Sequence, residues 1–258
     1  MSIKNTRLLS LKRYVWVSLI WFVSGSALLA QSATEIVKAA DQKIKGLSSE
    51  ATMTIRIVRP SWQREISLKT WSKGDEYALI LVTAPAKDKG MVSLKRDREV
   101  WNWIPSIERT IKLPPSMMTQ SWMGTDFTND DLVKQSSIVT DYTHELEKDT
   151  LIEGYACHKI VMTPKPDAAV VWGKIVICIS KKEYMQMRAE YYDEEGYLVN
   201  VMNSSNIKMM GGKLLPAEME MIPMDKPGQK TVLIYNHLNF DIPIEESFFT
   251  VQNMKTVR

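Results

Sequence analysis

The side chains best suited to nucleophilic or metal chemistry in this 258-residue sequence are two cysteines, Cys157 and Cys178, and three histidines, His144, His158 and His237. No histidine stands at metal-ligand spacing from another histidine, a cysteine or a carboxylate. Adjacent residues of a strand point to opposite faces, so Cys157 and His158 cannot act together as nucleophile and base. The G-x-S-x-G, H-E-x-x-H, P-loop and G-x-G-x-x-G motifs are also missing. We therefore expect no metal, no cofactor and no catalytic residue, and predict that the protein is not an enzyme.

The two cysteines fit a β-hairpin with predicted strands at 155–163 and 171–180. An antiparallel register that places Cys157 opposite Cys178 also places Ile160 opposite Ile175, so the apolar positions share the other face. Directly opposed cysteines in a non-hydrogen-bonded pair lie within bridging distance. Because there is no C-x-x-C spacing and no cluster of ligands, we predict a structural disulfide rather than a redox or metal-binding pair.

The first thirty residues have the pattern of a secretory signal peptide. Basic residues at positions 4, 7, 12 and 13 precede the uncharged stretch 14–30, which ends in small residues. Cleavage is expected after Ala30 or after Ser32, and an uncleaved membrane anchor is the alternative. We therefore expect a periplasmic protein, with a signal peptide at 1–30 and a single domain at 31–258.

Composition excludes several classes of protein. A chain with 45% hydrophobic and 24% charged residues is neither a polytopic membrane protein nor disordered. Four of the 33 Lys and Arg lie in the first thirty residues, so 29 remain in 31–258 against 30 Asp and Glu. This balance gives no reason to expect nucleic acid as a partner.

The elements that position side chains after residue 30 are one helix and many strands. The spacing of Ser32 and Glu35 predicts a capping box, and Gly46 is a typical end for the helix that follows. Beyond it, alternating apolar residues separated by turn signals indicate about a dozen antiparallel strands. Such a chain forms a large curved sheet, a barrel or a sandwich.

One segment, 113–124, does not fit a strand. Proline at its start and Gly124 at its end predict a short helix, and a second short helix capped by Thr128 is expected to follow. These helices are expected either to form a lid over an apolar opening or to be plain core. The candidate lid residues are Met117, Met118, Trp122 and Met123.

Methionine, with 16 residues, is frequent on one face of the predicted strands. Because methionine packs around many shapes, a curved face of Met, Ile and Leu suits a flexible acyl chain. The alternative is that this face packs only against the protein itself. The predicted cavity residues are Met53, Ile55, Ile66, Leu68, Ile107, Ile111, Ile160, Ile175, Ile177, Met185, Met187, Met219 and Met221.

The order of several local features carries a family resemblance. After the signal peptide and helix come the segment Trp101-Asn102-Trp103-Ile104-Pro105, the Met-rich segment, Asp193-Glu194-Glu195-Gly196, Ile242-Pro243 and Ser247-Phe248-Phe249-Thr250. In this arrangement the chain resembles the LolA/LolB-type outer-membrane lipoprotein carriers, and more specifically the LolA-like outer-membrane lipoprotein-sorting proteins. The likeness covers nearly the whole chain after residue 30.

The resemblance implies a mainly β fold, an open antiparallel half-barrel of about eleven strands with small helices covering its concave face. It implies a periplasmic carrier that binds the acyl chains of a lipoprotein or lipid in an apolar cavity and moves them from inner to outer membrane. The implied partners are an inner-membrane transporter and an outer-membrane acceptor, and we expect a monomer. The alternative is a non-transport binding module, an envelope stress sensor or assembly factor, that uses the same concave surface.

Overall fold

The computed structural model describes residues 31–134 and 138–258. The predicted signal peptide, residues 1–30, lies outside the described residues, so its cleavage and the domain boundary after it stay predictions. No helix in the described part of the chain is long and apolar enough to cross a membrane.

The described chain begins with one α-helix, α1 (Ala33–Lys45). The Ser32 hydroxyl accepts a hydrogen bond from the Glu35 amide at 3.2 Å, and the Glu35 carboxylate accepts one from the Ser32 amide at 2.8 Å. This reciprocal capping satisfies amides that the helix leaves unpaired. The helix ends at Gly46, whose φ of 66° suits glycine. The helix predicted from these residues is confirmed.

In the described part of the chain, fourteen antiparallel strands form one sheet. They are β1 (Ser48–Arg59), β2 (Trp62–Lys73), β3 (Tyr77–Ala84), β4 (Val92–Arg96), β5 (Glu99–Ile104), β6 (Arg109–Lys112), β7 (Tyr142–Leu146), β8 (Thr150–Ile152), β9 (Tyr155–Pro164), β10 (Lys174–Ser180), β11 (Gln186–Tyr192), β12 (Leu198–Met210), β13 (Lys213–Pro223) and β14 (Lys230–Phe240). The order across the sheet is β6-β5-β4-β3-β2-β1-β14-β13-β12-β11-β10-β9-β7, and β8 also pairs with β9. Among the described residues β6 and β7 are the edges, so the sheet is open. The predicted mainly β, open half-barrel fold is confirmed, with three more strands than the eleven expected.

The hairpin turns lie at two opposite ends of the sheet, as antiparallel pairing requires. One end, here called the mouth end, carries the connection from α1 to β1 and the turns β2–β3, β4–β5 and β12–β13. The other, here called the insertion end, carries the turns β1–β2, β11–β12 and β13–β14. The face of the sheet that α1 contacts is here called the inner face.

The β9–β10 hairpin corrects the predicted disulfide. Cys157 pairs with Ser180, and Cys178 pairs with Lys159, so the two cysteines are not opposite one another. Both thiols are free and buried, and the predicted disulfide is wrong. Burial raises the pKa of the Cys157 thiol to about 11, which keeps that thiol protonated and weakly nucleophilic.

The predicted register of this hairpin differs from the observed one by two residues. Ile177, not Ile175, lies opposite Ile160. A shift of two residues leaves every side chain on its original face, whereas a shift of one would reverse all of them. Matching apolar positions therefore identifies the faces of a hairpin but cannot choose between registers two residues apart.

Residues 113–134, here called the insertion, follow β6 in the chain and cross the inner face before β7 begins. Instead of the helix predicted over 113–124, the chain forms a 3₁₀ turn at Pro115–Met117 and then irregular turns. Met123 and Gly124 have φ values of 51° and 78°, which end any helix. The second predicted helix is a short π-helical turn, Asp130–Lys134.

The cap predicted for the second helix is present. The Thr128 amide donates to the Asp131 carboxylate at 2.8 Å, and the Asp131 amide donates to the Thr128 hydroxyl at 3.1 Å. The reciprocal pair fixes the start of the turn.

The outer face of β2 to β5 is covered by the end of the chain. Phe249 and Met254 from this C-terminal segment pack against Trp71, Leu79 and Leu94. The outer face of these strands is therefore closed to a ligand.

Candidate ligand-binding cavity

A cavity of about 340 Å³ lies between the inner face of the sheet and the last two turns of α1, beside the insertion. Its volume is at the lower end of the roughly 300–1,000 Å³ of ligand pockets. Short alanine side chains help to leave this space where a leucine would fill it. The apolar lining residues include Ala40, Ile44, Ala51, Met53, Leu68, Ala78, Ile80, Trp122, Phe127, Leu132, Ile138, Ile175, Met185, Met202, Leu215, Met219, Leu233 and Leu238.

Five of the predicted cavity residues line this space: Met53, Leu68, Ile175, Met185 and Met219. They come from four different strands, β1, β2, β10 and β13, and from the turn before β11. Antiparallel pairing and alternation bring their side chains to the inner face. Methionines on both sides of the cavity give it walls that can change shape.

Five more predicted residues are buried on the inner face but away from the cavity. Ile55, Ile66 and Met221 pack in one cluster with Met118 and Trp122 of the insertion. Ile160 and Ile177 pack in another with the first turns of α1. The covering elements, not the strands, separate these side chains from the cavity.

The remaining three predicted residues lie elsewhere. Ile107 and Ile111, near edge strand β6, are 54% and 39% exposed. Met187 packs with the two cysteines because a bulge between Cys178 and Ile179 interrupts the pairing of β10 with β11. A bulge inserts an extra residue and breaks the alternation on which the prediction depended.

The candidate lid residues occupy different environments. Trp122 lines the cavity, and its indole donates to the Ser93 hydroxyl at 3.5 Å. Met118 is buried in the cluster beneath the insertion, and Met117 and Met123 pack at the edge of that cluster. The four residues therefore connect the cavity wall to the buried side chains that fill the insertion end of the inner face. These buried side chains are here called the plug.

A buried ion pair holds the insertion to the sheet. Arg59 of β1 donates through both terminal nitrogens to the Asp126 carboxylate, at 3.0 and 3.1 Å. The Thr231 hydroxyl donates to the same carboxylate at 2.6 Å, and Arg64 donates to the carbonyl of Met123. These contacts fix the middle of the insertion against β1, β2 and β14.

Charged residues at the mouth of the cavity were missed by sequence reasoning. The Lys45 amine lies 2.8 Å from Asp41 and 2.7 Å from Asp75, so it joins α1 to the β2–β3 turn. Lys95 of β4 also lines the cavity. The Asp41–Lys45 spacing and a lysine at an inward position of β4 were the available signals. The Asp75 contact depends on two distant elements meeting.

The pKa values at the mouth follow from burial and charge. Burial raises the pKa of Asp41, and Lys45 opposes this. Burial lowers the pKa of Lys45 but the two carboxylates raise it, with a net rise. Burial raises the pKa of Asp75, and Lys45 outweighs burial and lowers it overall. The lysine is therefore held in its charged form by the carboxylates.

A second polar group lines the cavity beneath the start of α1. The Trp172 indole donates to Asp131 at 3.0 Å, and the Tyr142 hydroxyl donates to the Trp172 carbonyl at 3.4 Å. Burial raises the pKa values of Asp131, Tyr142 and Tyr191. The group ties the insertion to β7 and to the segment before β10.

Asp131→Asn is expected to flatten the fall in stability as pH rises. The pKa of Asp131 is higher in the folded protein than in the unfolded chain, so the folded state favours the protonated carboxyl. The resulting contribution to the free energy of unfolding is fully present below the unfolded-chain pKa of about 3.9 and is lost as pH rises through the folded-state pKa. Urea unfolding of both proteins at several pH values above 4 measures the difference. In Asp149, the Lys181 hydrogen bond lowers the pKa, so Asp149→Asn is a control with the opposite sign. An unchanged slope in Asp131→Asn would contradict the assignment.

A family model described as that of an uncharacterized protein matches residues 74–256, more than half of the chain. The chain belongs to this family. The matched region holds most of the inner face and all of the insertion, but α1, β1 and β2 precede it. A comparison with curated protein sequences finds no match.

Solved structures share the fold of this family member. A DUF1329 family protein from Desulfovibrio piger is 23% identical, with a TM-score of 0.79 over 86% of this chain and 97% of that one. A domain from Vibrio parahaemolyticus, described as belonging to an outer membrane lipoprotein-sorting protein, is 21% identical, with a TM-score of 0.77 over 86% and 98%. A LolA superfamily protein from Nitrosomonas europaea is 23% identical, with a TM-score of 0.75 over 86% and 99%. The resemblance to LolA-like proteins is therefore confirmed for the fold.

Proposed function

We propose that this protein is a periplasmic carrier that binds an acyl chain of a lipoprotein or lipid in the inner-face cavity and moves it from the inner to the outer membrane. The observation that carries the proposal is the cavity itself, a space of about 340 Å³ with a mainly apolar lining. Acyl chains offer apolar area but no hydrogen bonds, so an apolar cavity suits them.

The composition of the cavity wall supports release as well as binding. Met53, Met185, Met202 and Met219 line it, and methionine adapts its shape at low cost. Many weak dispersion contacts then hold the ligand in place of a few fixed polar anchors. We propose the insertion as the lid, because Trp122 belongs to both the insertion and the cavity wall and its movement would change access.

The direction of transport rests on the shared fold and on the predicted signal peptide. One structural relative is described as a lipoprotein-sorting domain, and the signal peptide predicts export. An inner-membrane transporter that supplies the cargo and an outer-membrane acceptor that receives it are the partners this role requires.

Native mass spectrometry of the protein purified from a bacterial periplasm tests the proposal. We expect a fraction of the protein to carry one bound molecule with an acyl chain, which organic extraction removes and identifies. Protein refolded from denaturant without lipid is the control and should show only the bare mass. Purified protein without bound lipid, which also fails to take up a fluorescent fatty acid, would contradict the carrier role.

A further inference from the structure

We propose that the mouth end of the sheet docks on the surface of an anionic lipid bilayer, with the side chains of Leu47 and Met209 inserted among the lipids. The inference rests on the proposed carrier function and names the partner at which the same cavity exchanges its ligand.

Two of the most exposed large apolar side chains lie at the mouth end, one in the connection after α1 and one near the end of β12. Leu47 is 80% exposed and Met209 is 64% exposed. The Phe240 ring connects their turns, because a Cβ added to Gly46 would lie 2.8 Å from it and one added to Gly211 would lie 2.6 Å from it. The connection after α1 and the β12–β13 turn therefore form one surface.

This surface is continuous with the opening of the cavity. The Gly74 amide donates to the Leu47 carbonyl at 2.9 Å, and Gly74 and Asp75 are exposed residues that also line the cavity. A ligand that passes between α1 and the β2–β3 turn therefore emerges beside Leu47. Contact between Leu47 and a bilayer would bring the opening close to the lipids.

The charge around the two apolar side chains favours an anionic surface. Residues 42–47 and 208–213, the two segments that meet at Phe240, contain four lysines and no Asp or Glu. Lys43 and Lys45 form ion pairs with carboxylates outside these segments, so the attraction to anionic lipids depends on the other two lysines. Lys213 donates to the Lys43 carbonyl at 3.1 Å, and Lys208 donates to the Tyr235 carbonyl at 3.5 Å. A carbonyl group carries no net charge, so these two lysines keep their full positive charge, which lipid phosphates attract.

The insertion end also exposes apolar side chains, but its surroundings differ. Tyr197 is 72% exposed and Met224 is 50% exposed. Three consecutive acidic residues, Asp193 to Glu195, stand in the same turn as Tyr197 and would be repelled by anionic lipids. The plug formed by the insertion separates this end from the cavity. The mouth end is therefore the better membrane-facing surface.

Flotation with vesicles of phosphatidylglycerol and phosphatidylcholine tests the proposal. We expect wild-type protein to bind these vesicles, to bind pure phosphatidylcholine more weakly, and to dissociate in high salt. Leu47→Glu and Met209→Glu should each weaken binding by about tenfold, because each removes a buried apolar contact and adds repulsion. Tyr197→Glu, an equally exposed site at the other end, is the control and should bind like wild type.

Both glutamate substitutions replace exposed side chains, so the variants should fold, which circular dichroism checks. Uptake of a fluorescent fatty acid in the absence of vesicles reports the cavity separately, and its failure would contradict the carrier function without affecting the docking result. Wild-type protein that does not bind phosphatidylglycerol vesicles, or variants that bind like wild type, would overturn the docking proposal. Leu47-dependent capture of a protein without vesicle binding would also overturn it and assign the surface to a protein partner.

Discussion

Met219→Trp is expected to remove most of the acyl-chain binding while the sheet stays folded. Met219 lies on β13, opposite Leu233, with its side chain in the cavity wall. A tryptophan there would occupy space that an acyl chain needs, and the half-buried position leaves room for the larger ring to adjust. We expect affinity for a fluorescent fatty acid to fall by about tenfold or more, a loss of at least about 1.4 kcal/mol of binding free energy.

Met224→Trp is the matched control for this experiment. Met224 follows the same strand, is 50% exposed and does not line the cavity. The control should bind the fatty acid as wild type does. If Met219→Trp and Met224→Trp bind equally well, the acyl chain does not occupy this cavity.

Arg59→Met is expected to cost about 3–5 kcal/mol of unfolding free energy, because it leaves the Asp126 carboxylate buried without a compensating charge. The side chains of Arg59 and Asp126 are only 12% and 6% exposed, so solvent screens the pair weakly. Urea unfolding followed by circular dichroism measures the loss. Protection of residues 117–127 from hydrogen exchange should fall as well, because the pair holds the insertion to β1.

Arg56→Met on the same strand is the control. Arg56 and Glu65 form an ion pair at 2.8 Å, but their side chains are 43% and 55% exposed. Such a pair contributes less than about 1 kcal/mol. Equal losses in the two variants would show that the Arg59 pair does not stabilise the insertion as described.

Much of the architecture could be predicted from local pattern. The Ser32–Glu35 capping box and Gly46 bound α1 correctly because capping depends on residues three positions apart. Alternation placed Met53 and Leu68 on the inner face because side-chain direction in a strand depends only on backbone geometry. Both signals lie within a few residues of sequence.

The limits of local pattern appear in three places. Register was wrong by two residues at Cys157 because such a shift preserves the faces. Met187 left the predicted face because a bulge interrupts β10 and β11. The Lys45–Asp75 contact joins α1 to the β2–β3 turn, and neither segment alone predicts the other.

The amino-acid sequence by itself determined the strands, the capped helix α1 and the apolar face, because each depends on propensity and periodicity along a short stretch of chain. Only the tertiary structure decided which part of that face is empty. Ile66 and Leu68 stand two residues apart on the same face of β2, yet the insertion covers Ile66 and the cavity reaches Leu68. The difference comes from where residues 113–134 and the end of α1 pack, and long-range packing of this kind leaves no periodic trace in β2 itself.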